Sequence, residues 1–187
     1  MGGSIETKEM GDIRRKYPNC KNFIELGTYK GHTAVTASLH FTHVYTMEIV
    51  ESLHLEAVQH ACSHKRDNIT FLKGDSREKL PEVMNVVKDD VNVYFIDSHA
   101  SGWDTSDNGK IPFYKVPMLN ELDIITGYPL QAGSVFIIDD IQFFMGNKKE
   151  WDWEEISLDV ILEKFEKWNT YFYIKQDRLY IEIEREK

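Results

Sequence analysis

Short, almost continuously apolar runs alternate with longer helical stretches along most of this chain, and that alternation fixes the fold class. Asn22 to Leu26 reads as a strand stopped by Gly27, and Gly31 to Phe41 as a helix carrying small residues. Val44 to Glu48 is a second strand. Ser52 to Lys65 is a second helix, with Leu55, Val58, Gln59 and Cys62 at helical spacing. Ile69 to Leu72, Ser76 to Val87 and Val91 to Ile96 repeat the pattern. Strands without a polar face belong to a parallel sheet covered on both sides. After a Gly/Asp/Ser-rich loop, Ser98 to Lys110, come a helix over Pro112 to Thr126 and a strand over Ser134 to Ile138. A helix over Glu155 to Trp168 follows. Two last runs, Tyr171 to Ile174 and Leu179 to Ile183, flank Gln176-Asp177-Arg178 as an antiparallel hairpin. Strand–helix units in series predict an α/β, doubly wound, Rossmann-like sheet with helices on both faces and right-handed crossovers.

Length and charge narrow the function. The 187 residues fit one domain, with 1–20 as an N-terminal extension. Lys and Arg number 22 against 31 Asp and Glu, for a net charge of -9. Nucleic-acid and membrane-surface binding both draw on clustered Lys and Arg, so neither is expected. The two cysteines, Cys20 and Cys62, have neither disulfide-framework nor zinc spacing and are expected to be free, buried thiols. No apolar run approaches the ~20 residues of a membrane span, and the polar N-terminus lacks a signal-peptide core. A cytoplasmic protein is expected.

Doubly wound sheets bind ligands beyond the carboxyl ends of their strands, where the strand order reverses. Gly27, Glu48, Asp75, Asp97 and Asp139 each fall at or just past such an end. The run Glu25-Leu26-Gly27-Thr28-Tyr29-Lys30-Gly31-His32-Thr33 links a strand to a helix. Gly27 suits a tight turn and close ligand approach, and Gly31 would start the helix where N–H groups are free. This is neither the three-glycine dinucleotide fingerprint nor a phosphate loop, so the ligand need not carry a pyrophosphate. Glu48, closing the second strand, stands where an acid accepts hydrogen bonds from a ribose diol. Asp75, in Gly74-Asp75-Ser76, can meet an adenine amino group or equally well cap the next helix.

The series Glu25-x-Gly27-x-x-x-Gly31, Glu48, Gly74-Asp75, Asp97 resembles the class I S-adenosylmethionine-dependent methyltransferases over nearly the whole chain. The hairpin is similar to the reversed last strand of that family's seven-stranded sheet. The resemblance implies that Glu25 and Gly27 line the methionine end of S-adenosylmethionine, that Glu48 binds the ribose and Asp75 the adenine side. Thr28, Gly31, Thr33, Ser76 and Asp97 are the further cofactor-binding residues it implies.

The later motifs, Tyr94-Phe95-Ile96-Asp97-Ser98-His99 and Gly133 through Asp139-Asp140, are similar to small-molecule O-methyltransferases of the macrocin and catechol type. There an Asp after strand four and an acidic pair after strand five hold one Mg²⁺, which implies Asp97, Asp139 and Asp140 as metal ligands. Such a cation wants oxygen donors, and three converging carboxylates without one repel each other. His99 stands where macrocin-type enzymes often place an Asp as general base. That is a departure, but an imidazole takes a proton readily near neutral pH.

His99 and Asp97 are thus the expected catalytic residues. The expected reaction is methylation of a small-molecule hydroxyl, on a sugar or another natural product. Segment 98–111 is the acceptor-side loop, with Trp103, Phe113 and Tyr114 as lid candidates. Phe143-Phe144-Met145 and Trp151-x-Trp153 wall the acceptor or cover an oligomer face, a homo-oligomer being one option. The alternatives are a metal-independent methyltransferase using His99, or a nucleoside-binding module without catalysis.

Overall fold

The computed structural model describes residues 3–99, 105, 116–145 and 153–186. Five strands run parallel: β1 (Asn22–Leu26), β2 (His43–Glu48), β3 (Ile69–Lys73), β4 (Asn92–Ile96) and β5 (Val135–Ile138). The tail β6 (Trp168–Lys175) and β7 (Arg178–Glu186) returns as an antiparallel hairpin, and β7 inserts beside β5. The sheet order is β3-β2-β1-β4-β5-β7-β6, so seven strands form the mixed, mostly parallel sheet expected. Helices are α1 (Thr7–Lys16), α2 (His32–Ala37), α3 (Glu51–Ser63), α4 (Ser76–Val87), α5 (Met118–Thr126), α6 (Gln142–Met145) and α7 (Leu158–Glu163).

Strand side chains alternate between two cores. Ile24, Leu26, Tyr94, Ile96, Phe136 and Ile138 pack with α4, α5 and α7 on one face. Phe23, Phe95, Val93, Val135 and Ile137 pack with α1 and α2 on the other. Both faces of the sheet are therefore covered, and the near-continuous apolar strands follow from that. The N-terminal extension is part of this core: Ile5, Met10, Ile13 and Tyr17 are all buried.

Three expectations need correction. The inner face of α3 is Leu53, Ala57 and Ala61, while Leu55 and Cys62 point outward. The reason is the close approach of α2: a Cβ on Gly31 would lie 3.0 Å from the Ala57 Cβ, so small residues must face it. Cys20 is buried as expected, but Cys62 is exposed. The helix expected over Glu155 to Trp168 shrinks to α7, capped by Ser157 accepting from the Val160 N–H. Trp168 instead opens β6 and is buried in the core.

Candidate active site

The chain reverses its direction of winding between β1 and β4, which meet at the middle of the sheet. Gly27 and Asp97 follow these two strands. The Asp97 N–H donates to the Leu26 carbonyl at 2.9 Å. Gly27 has φ 94°, and a Cβ there would stand 2.1 Å from the Asp97 carbonyl oxygen. Glycine is thus demanded by the neighbouring loop as well as by the turn. Gly31, with φ 80°, precedes α2.

Beneath this turn lies a buried polar network. Thr28 Oγ1 donates to Thr46 Oγ1 at 2.5 Å, and Thr46 Oγ1 donates to Glu25 Oε2 at 2.5 Å. Thr33 also bonds Glu25, and its Oγ1 accepts from the Ile5 N–H at 3.0 Å. Glu25 is 1% exposed. Burial pushes its carboxyl up to about 8, against the opposing bond from Thr46. Glu25, Thr28 and Thr33 therefore tie the turn together from within.

Glu48 ends β2 with its carboxylate engaged by backbone donors: the Tyr29 N–H at 2.8 Å, the Val50 N–H at 2.9 Å and the Ile49 N–H. A carboxylate accepts about four hydrogen bonds, so a diol can still be taken up. Burial raises the Glu48 carboxyl, and those N–H groups oppose the rise. Tyr29 itself holds φ 50°, a conformation uncommon for a side chain of its size. Asp75 is the N-cap of α4: its Oδ1 accepts from the Arg77 N–H at 2.9 Å, and the Arg77 guanidinium holds the carboxyl below its usual range. Ser76 is buried, and its hydroxyl donates to Glu121.

At the ends of β4 and β5 the acids gather. His99 Nε2 lies 3.1 Å from Asp140 Oδ2, and His99 Nδ1 lies 3.7 Å from Asp97 Oδ1. Asp97, His99 and Asp140 each offer a donor atom within 4.8 Å of the others. Burial first, then Asp139, Asp140 and Glu25, lift the Asp97 carboxyl well above its usual range. Asp139 is turned elsewhere. Its Oδ1 accepts from Arg178 Nε at 3.1 Å and its Oδ2 from the Gly3 N–H at 3.0 Å. Burial raises the Asp139 carboxyl, and Arg178 opposes the rise. Phe143 and Trp153 stand beside the His99 ring, with centroids at 6.1 Å and 5.2 Å. Ile96, Asp97, Ser98, His99, Met118 and Trp153 line a cleft of about 180 Å³. Trp103, Phe113, Tyr114 and Trp151 lie outside the described residues.

Arg178 and Glu121 are the residues the sequence did not single out. Arg178 is 6% exposed; besides Asp139 it binds Glu9 Oε2 at 2.6 Å and the Gly3 carbonyl at 2.5 Å. It opens β7 immediately after the hairpin turn, where a cation ordinarily faces water. Glu121 is fully buried on α5, and its signal was present: Met118, Glu121, Leu122 and Ile125 share one helical stripe.

A divalent cation suits the donor set of two carboxylates and an imidazole, with Asp97 and Asp140 as its oxygen ligands. Asp139 lines the same cleft but is paired with Arg178 and lies outside that three-residue cluster. The free acceptor capacity of Glu48 suits a nucleoside diol.

No family model matches the chain, and no curated protein matches it in sequence. Solved structures do. An O-methyltransferase from Bacillus cereus in complex with SAH superposes with TM-score 0.66 at 12% identity, over 96% of this chain and 80% of that one. A candidate caffeoyl-CoA O-methyltransferase from Staphylococcus aureus gives 0.65 at 18% identity, over 98% and 86%. A protein from Methanobacterium thermoautotrophicum described as precorrin 8w decarboxylase gives 0.55 at 13% identity, over 96% and 90%. At such identities the likeness concerns architecture, and the last name shows that the architecture does not dictate the reaction. The chain has the fold of the class I methyltransferases.

Proposed function

We propose that the protein is an S-adenosylmethionine-dependent methyltransferase that methylates a hydroxyl of a small molecule, with a divalent cation, Mg²⁺ by the family resemblance, between Asp97 and Asp140. The supporting observation is the convergence of Asp97, His99 and Asp140 at the β4 and β5 ends of a methyltransferase fold. When bound, the sulfonium cofactor supplies an electrophilic methyl group and the cation supplies positive charge that holds an acceptor oxygen as its anion.

The chain's own residues do the rest. Glu48 accepts the ribose hydroxyls, and the turn at Gly27 keeps the β1 end free of side chain. The nucleoside lies along the rim from Glu48 toward Ser76, and the cleft at Asp97 and His99 receives the reacting hydroxyl. His99 takes the hydroxyl proton at Nδ1, which stands 3.7 Å from Asp97 Oδ1, while Nε2, 3.1 Å from Asp140 Oδ2, donates to that carboxylate, which stabilises the imidazolium that results. Phe143 and Trp153 restrict the imidazole plane and exclude water. The net charge of -9 favours neutral or cationic acceptors over nucleic acid.

A second reading has its own observation. Asp139 is balanced by Arg178, and the His99 ring stands between the remaining acids, Asp97 and Asp140, where a cation would otherwise sit. A metal-independent methyl transfer through His99 follows from that balance. Methyl transfer to phenolic and sugar hydroxyls, with Mg²⁺ or with EDTA, separates the readings. Product that disappears with EDTA supports the first, and product that survives it supports the second. SAH binding without transfer to any acceptor leaves a nucleoside-binding module and overturns both.

A further inference from the structure

Glu121 is an acid with no contact to solvent, placed on α5 and pointed at two segments at once. One carboxyl oxygen, Oε1, accepts a short hydrogen bond from Ser76 Oγ. The other, Oε2, accepts from Ser98 Oγ at 2.8 Å. Ser76 follows the β3 end directly after Asp75, and Ser98 follows the β4 end directly after Asp97. A single side chain, anchored by Met118, Leu122 and Ile125 in the core, thus spans the start of α4 on the expected adenine side and the loop of the reacting end.

Burying a carboxyl is unfavourable unless its oxygens are satisfied. A hydrophobic residue would fill the same stripe of α5 without that penalty. Burial pushes the Glu121 carboxyl up to about 7, and the two serine bonds oppose the rise. A group kept in the core against desolvation, and hydrogen-bonded among the described residues to the start of α4 and to the loop after β4, has a positional role.

We infer that Glu121 is a positioning residue: it fixes the start of α4, just past the β3 end, and the loop after β4 relative to each other, so that the nucleoside and Asp97 with His99 keep one separation. This rests on the strand-end rim being a nucleoside site. The tether predicts two effects. Without it the two segments move independently, and an error of about 1 Å between reacting groups lowers turnover by about 10²-fold. The serines also become energetically uncoupled, because each now faces a different environment.

The test is a double-mutant cycle of Ser76→Ala and Ser98→Ala in the wild-type chain and in Glu121→Ala. SAH affinity by calorimetry and thermal unfolding are the readouts, with kcat measured where an acceptor is known. In the wild-type background the two serine changes should be non-additive in SAH affinity by about threefold or more. In Glu121→Ala they should add. Glu121→Gln can still pair with both serine hydroxyls and should retain SAH affinity within about threefold and kcat within about tenfold, whereas Glu121→Ala should lose about 10²-fold in kcat. Additive serine effects in both backgrounds would overturn the tether. So would Glu121→Ala lowering the unfolding temperature while SAH affinity stays constant, since Glu121 would then serve only the core. If the wild-type chain binds no SAH, the nucleoside reading itself fails, and coupling seen in the unfolding temperatures alone would then mark Glu121 as structural and overturn the inference with it.

Discussion

The imidazole Nε2 of His99 lies 3.1 Å from Oδ2 of Asp140, which joins the loop after β4 to the turn after β5. Asp140 reaches that place with φ 60°, a left-handed conformation that a non-glycine residue adopts at some expense. Backbone strain beside a titratable pair marks a place where geometry outranks stability. His99→Asn should therefore lower kcat by about 10²–10⁴-fold, the usual contribution of a general base. SAH affinity should change less than threefold, because the imidazole does not face the nucleoside rim. Steady-state rates with parallel calorimetry check this.

Gly27→Ala tests the junction of β1 and β4. Its Cβ would meet the Asp97 carbonyl at 2.1 Å, in a backbone conformation that L side chains avoid. Strain of this kind destabilises by about 1–3 kcal/mol or more. We expect a lower unfolding temperature together with loss of SAH binding, since Asp97 cannot retain its place. An unfolding temperature within 1 °C of wild type would show that the loops part freely.

Glu25 sets a direction for the pH dependence of stability. Its carboxyl titrates near 8 in the folded chain, against an ordinary 4.5. Between these values the folded state holds a proton that the unfolded chain has released, so stability falls as pH rises through the window. Glu121, raised to about 7, acts in the same direction. Glu25→Gln keeps an acceptor for Thr46 and removes the titration. Its unfolding temperature, followed from pH 5 to pH 8.5, should decline less steeply than that of wild type. Parallel curves would place the Glu25 carboxyl in contact with water.

Arg178→Met should destabilise the whole molecule. The side chain is buried and pairs with both Asp139 and Glu9, while its Nη2 holds the Gly3 carbonyl. Removing one partner of a buried ion pair costs about 3–5 kcal/mol. At about 2–4 °C per kcal/mol for a chain of this size, calorimetry should show a drop of at least about 6 °C. The N-terminal segment should become sensitive to proteolysis, because Gly3 and Glu9 lose their common partner.

The central parallel strands β1, β4 and β5 were legible because both their faces are buried, which leaves apolar runs with no alternation. α4 matched its expected bounds because Asp75-Ser76 announces its cap. α1 was missed because its buried residues Met10 and Ile13 are diluted by charged neighbours. The inner face of α3 was misjudged because alanines carry little apolar signal, and only the packing of Gly31 on Ala57 explains them. In the site, the acids at strand ends were visible as types and positions, but their partners were not. Nothing in sequence distinguishes Asp139, which turns to Arg178, from Asp140, which turns to His99. That choice depends on a hairpin that returns from the far end of the chain to lie beside β5.

The central claim is tested most directly by co-crystallisation with SAH and Mg²⁺. The electron density should show the ribose hydroxyls within hydrogen-bond reach of Glu48, the base toward Ser76, and a cation between Asp97 and Asp140. A closed junction at Gly27 and Asp97 with no nucleoside bound, or a nucleoside seated away from Glu48, would contradict the assignment.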